Sequence, residues 1–113
     1  MEWKVWYRPG GAEGNFSRDQ DTGTLTIDGD RVAYDGKKAQ ISFDNIRSVG
    51  KQRISLWLMW AAIEYEENGE VKRAYFGDRR FLGWGGIMGS NSQMVKDAEA
   101  VRAQRAAQPG PTA

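Results

Sequence analysis

The chain has 113 residues, enough for one hydrophobic core and too few for two well-separated ones. An apolar fraction of 40% and a charged fraction of 27% match a folded globular protein and exclude a disordered acidic or basic tail. Sixteen basic against fifteen acidic residues leave a formal charge of +1, so no global field draws the chain to nucleic acid, and the absence of Cys removes disulfides, thiolate nucleophiles and the usual structural zinc sites.

The opening, Met1-Glu2-Trp3-Lys4-Val5-Trp6-Tyr7, lacks the apolar stretch and small-residue cleavage site of a secretory signal, and the cytoplasm is the simplest address. It reads as a strand with Trp3, Val5 and Tyr7 on one face. Residues 9 to 15 read as irregular. Asp19, Asp21 and Gly23 echo part of a calcium loop, but no Glu closes a twelve-residue loop, so they read as turn residues.

Three hairpin signals follow: Asp28-Gly29, Asp35-Gly36 and Asn68-Gly69, each a pair that tolerates the positive φ of a tight turn. Around the first, Leu25 and Ile27 alternate with polar residues and so do Val32 and Tyr34, which places all four on one face. Ala39, Ile41 and Phe43 repeat the alternation, and Ile46 and Val49 continue it. The run Leu56 to Ile63 is apolar for eight residues, whereas a spanning helix needs roughly 20, so it reads as a buried strand. An Asn68-Gly69 loop then sets Glu67 opposite Glu70, Ile63 opposite Ala74, Ala61 opposite Phe76 and Glu64 opposite Arg73.

A helix is expected at the end. Ser90 and Gln93 have capping-box spacing, and Met94, Ala98, Val101 and Arg105 recur at helical intervals to about Ala107. Lys96, Glu99, Arg102 and Gln104 fall on its solvent side. Pro109-Gly110-Pro111 stops the helix, which gives one domain over 1–107 and a flexible tail over 108–113.

Residues 23 to 49 carry a string that resembles the opening strands of GRAM and bacterial pleckstrin-homology-like domains. It reads Gly23-Thr24-Leu25-Thr26-Ile27, Arg31-Val32-Ala33-Tyr34, then Ile41-Ser42-Phe43-Asp44-Asn45-Ile46-Arg47-Ser48-Val49. Trp60, Ile63, Tyr65, the Asn68-Gly69 hairpin and one terminal helix extend the likeness to about Arg105. The resemblance implies a mainly β fold with one C-terminal α-helix: a PH-like bent antiparallel β-sandwich or partial barrel capped by the helix. The first hairpin lacks the Lys/Arg run with which phosphoinositide-binding members hold inositol phosphates.

Two surfaces carry the functional expectations. On the Leu56-to-Trp60 strand, Trp57, Met59, Ala61, Ile63 and Tyr65 share the core face, and Leu56, Leu58 and Trp60 point the other way. Either the chain's own elements cover those three, or they meet a protein partner or a second copy of the chain. The glycine-rich stretch Gly83 to Gly89 leads into the helix at Ser90 and follows Arg79-Arg80. Its backbone N–H groups around Gly85, Gly86, Gly89 and Ser90, with Arg79 and Arg80, suit an anion or lipid headgroup, joined by Lys37 and Lys38. It also reads as a plain crossover, since no Lys follows the last glycine and no βαβ unit is completed. Five tryptophans are dense for this length but read first as core. Without His or Cys, and with no nucleophile elbow, no catalytic residue, metal or cofactor is implied. The leading expectation is therefore a non-catalytic module for protein or self-association, with headgroup or anion binding second and nucleic acid disfavoured by the charge balance.

Overall fold

The computed structural model describes residues 1–11, 20–55, 58–79 and 90–107. The tail at 108–113 lies outside them. Seven strands and one helix follow in chain order: β1 (Glu2–Gly11), β2 (Asp21–Asp28), β3 (Arg31–Gly36), β4 (Gln40–Ser42), β5 (Ile46–Ser55), β6 (Leu58–Glu67), β7 (Glu70–Asp78) and α1 (Ser90–Ala107). The strands form one antiparallel sheet in the order β4-β3-β2-β1-β7-β6-β5, curled into a half-barrel that the helix caps.

The turns explain the register. Asn68 and Gly69 take φ of 53° and 81°, the double positive φ of a type I′ turn, and the pairs Glu67–Glu70, Glu64–Arg73, Ile63–Ala74 and Ala61–Phe76 form as the loop chemistry dictates. The first hairpin turns one residue later than expected, at Gly29-Asp30, with Gly29 at φ 59° and Ile27 paired with Val32. That slip moves each pairing by two positions, so Leu25, Ile27, Val32 and Tyr34 still share a face. At the second signal the turn falls on Lys37-Lys38, closed by the Gly36 N–H donating to the Ala39 carbonyl at 2.9 Å.

β1 is longer than residue types suggest, because it includes Pro9, Gly10 and Gly11. Pro9 pairs with Ala74 of β7, beyond Tyr7–Asp21, the last pair with β2, where the strand has one sheet neighbour instead of two. Such a position spares the N–H that proline lacks. At its own end β7 runs through Gly77 to Asp78.

The core is the concave face. Trp3, Val5 and Tyr7 of β1 meet Leu25, Ile27, Val32, Tyr34, Phe43, Ile63, Tyr65 and Phe76 there, and Met94, Ala98 and Val101 of α1 close the cluster. Tyr7, Tyr34 and Phe76 form a ring triad with centroids 4.7–5.4 Å apart. Burial pushes the Tyr65 hydroxyl pKa up to about 12, and it raises those of Tyr7 and Tyr34 as well. The helix lies chiefly on β5 and is fastened at its far end by Arg105, whose guanidinium donates to the carbonyls of Asp30 and Phe43.

Candidate functional site

Alternation along β1, β2 and β3 turns Lys4, Thr24 and Asp35 to the convex face, opposite the buried Val5, Leu25 and Tyr34. There they border an open depression of about 330 Å³, completed by Thr22, Gly23, Gly36, Lys37 and Arg79. Three cations therefore face it against one carboxylate. Each comes from a different segment: Lys4 from β1, Lys37 from the β3–β4 turn, and Arg79 from the residue after β7. Two backbone bonds bring these segments together, Arg79 N–H to the Lys4 carbonyl at 2.8 Å and Lys37 N–H to the Thr22 carbonyl at 3.2 Å.

The glycine pair Gly23–Gly36 has a steric role here. A Cβ on Gly23 would run into the Asp35 carbonyl and Gly36, and one on Gly36 would overlap the Tyr34 hydroxyl and the Asp21 carboxylate. Gly36 does not have a positive φ, so space and not turn geometry requires it. Beneath the pair, the buried Asp21 accepts from the Tyr34 hydroxyl at 2.8 Å and the Lys38 N–H at 3.1 Å. Burial works to raise its pKa, but the N–H groups of Lys38, Thr22 and Ala39 and the Tyr34 hydroxyl outweigh it and hold the carboxyl below the usual aspartate value. This ionised carboxylate fixes the Lys37-Lys38 turn on the depression's rim. Lys38 itself reaches the other way, towards the Gln20 carbonyl.

Of the anion-site residues expected from sequence, Arg79 is exposed and lines this depression. Arg80, Gly85, Gly86 and Gly89 lie outside the described residues. Ser90 is the first residue of α1, and its side chain lies outside them too. Gln93 donates to Asp97 at 2.8 Å, one turn further along the helix. Lys4, Thr22 and Thr24 were not singled out from sequence. Their signal was the position opposite each buried residue in an alternating strand, but no local motif links Lys4 to residues 75 positions away.

The apolar patch has a different outcome. Leu56 lies outside the described residues, as does the side chain of Leu58. Trp60 does point away from the core cluster, as alternation requires, and at 3% exposed it is covered, the first of the two alternatives for this face. Its ring stacks on Trp6 of β1, 6.2 Å between centroids and 8° from parallel, and the Arg8 guanidinium sits 5.3 Å from its centroid. Gly77, paired with Trp6, makes the space: a Cβ there would sit 2.5 Å from the Trp60 indole. The chain's own first strand therefore covers Trp60. Further along this face Glu64 receives Arg73 at 3.0 Å and, more loosely, Arg47 at 3.9 Å.

No family model, curated protein or solved structure matches the chain. Among the described residues no group of acidic side chains is arranged to hold a metal ion, and no helix is long and apolar enough to cross a membrane.

Proposed function

We propose that the chain is a non-catalytic binding module that takes a phosphate-bearing headgroup in the basic depression. The carrying observation is the convergence of Lys4, Lys37 and Arg79, from three separate segments, on one open site. Arginine offers a fork of donors that matches phosphate oxygens, and lysines add point charges that tolerate several headgroup poses. Thr22 and Thr24 supply hydroxyls at the same place, and the single carboxylate, Asp35, leaves the three cations in excess. The GRAM and pleckstrin-homology-like reading belongs to the same proposal; the strand string over 23–49, the seven antiparallel strands and the terminal helix support it. A cytoplasmic, membrane-peripheral role follows from that reading. Self-association through Leu56, Leu58 and Trp60 recedes, because Trp6 already occupies Trp60.

The test is co-sedimentation with phosphatidylcholine vesicles, alone or doped with phosphatidic acid or a phosphoinositide, alongside titration with soluble inositol hexakisphosphate. The expected result is pelleting with the doped vesicles that falls as salt rises and drops about tenfold or more in Lys37→Ala/Arg79→Ala, at roughly 1 kcal/mol per surface cation. Binding of the soluble phosphate without vesicle binding identifies a free ligand as the source. Neither binding at low salt rejects the function.

A further inference from the structure

Among the described residues the sheet ends on β5, a ten-residue strand that pairs with β6 on one side only. A long edge strand presents a row of backbone donors and acceptors that natural proteins shorten, cover or charge. The opposite edge, β4, is three residues long. β5 carries α1 on its core face, and its edge is charged with one sign: Arg47, Lys51 and Arg53 stand between Ile46 and Ser55 with no carboxylate among them. Arg47 reaches Glu64 and Glu66 at 3.8–3.9 Å, whereas Lys51 and Arg53 are exposed and, among the described residues, have no ion-pair partner.

Between the irregularities at Ile46/Ser48 and Arg53/Ser55 the ladder is regular from Ser48 to Arg53. Lys51 and Arg53, two residues apart, share one face, and Gly50 faces open space on the other. A second copy of β5 is a poor occupant. Antiparallel pairing centred on Gln52, within the regular ladder, would set Lys51 against Arg53, and like charges directly opposite each other destabilise a ladder.

We infer that the β5 edge is a docking site for an acidic extended peptide, which adds as an eighth strand with carboxylates on alternate residues facing Lys51 and Arg53. Main-chain bonds supply the affinity and the two cations supply the selection. Small or apolar residues at the intervening positions pass over Gly50. This site is separate from the depression, since β1, β7 and β6 stand between β2 and β5 in the sheet.

The experiment uses a terminally blocked peptide of alternating Glu and Val, about as long as β5, followed by fluorescence anisotropy and by amide exchange of the protein. Binding should slow exchange of amides within Ser48–Arg53. It should disappear when the peptide is N-methylated at alternate residues. Lys51→Glu/Arg53→Glu should weaken it about tenfold or more, and a Lys–Val peptide should recover binding to that variant, which also shows the variant is folded. Equal binding of the N-methylated peptide, indifference to the charge reversal, protection confined to other strands, or no binding of the Glu–Val peptide overturns the inference. So does a dimer in sedimentation whose β5 amides are already slow.

Discussion

A methyl group on Gly77 would stand 2.5 Å from the Trp60 indole, closer than carbon atoms approach without displacement. The Trp6–Trp60 stack has both rings held by neighbouring strands, so it has little freedom to move aside. We expect Gly77→Ala to cost about 1–3 kcal/mol, as overpacking does, read as a lower urea midpoint and altered tryptophan emission. Asp21 is the other residue whose surroundings dictate a measurable response. Its carboxyl pKa is lower in the folded chain than in the unfolded one, so its contribution is present above the unfolded value near 4 and disappears as pH falls through the folded value. Stability should therefore decline below about pH 4, and Asp21→Asn should be less stable at neutral pH by about 1–3 kcal/mol, with a flatter acid limb in pH-dependent denaturation. Burial alone would have given the opposite sign; the four donors around the carboxylate decide it.

The helix is held to the sheet through its side chains. Met94, Ala98 and Val101 bury its stripe, but the C-terminal turn depends on Arg105 bridging to Asp30 of the first hairpin and to Phe43. Arg105→Ala should cost about 1–3 kcal/mol, since two carbonyls lose a charged donor, and should raise amide exchange in the last helical turn before it does so in the strands. This bond was half legible in the sequence. Helical spacing placed Arg105 on the buried stripe, yet nothing local named a partner 75 residues earlier. The hairpins divide the same way. Asn68-Gly69 fixed its register outright because both positions need positive φ, whereas Asp35-Gly36 resembled a turn although Gly36 is a spacer for Tyr34 and Asp21. Local chemistry determines a two-residue loop; close approach of distant strands does not show in a window of neighbours. The depression was hidden for that reason, as Arg79 and Lys37 could be noticed singly but only the sheet order brings Lys4 to them.

At the scale of the whole molecule, β1 joins two meanders, β2–β4 on one side and β5–β7 on the other. The depression is lined by β1, the first arm and the residue after β7, and the cationic edge ends the second arm, so the two proposed ligands do not compete for the same strand. The expectation of a helix-capped partial barrel holds because each arm buries one face of alternating residues, and a curled sheet lets both faces share one core.

The place of β1 also bears on how the protein is made. Of the seven strands β1 is synthesised first, and one of its two neighbours, β7, is synthesised last. β2 to β4 can zip onto one flank of β1 early. The other flank, with Trp6 and Arg8, must wait for β7. Until β7 is synthesised, this half-built sheet exposes its central strand to any extended chain nearby, so domain exchange between nascent copies competes most strongly during that interval.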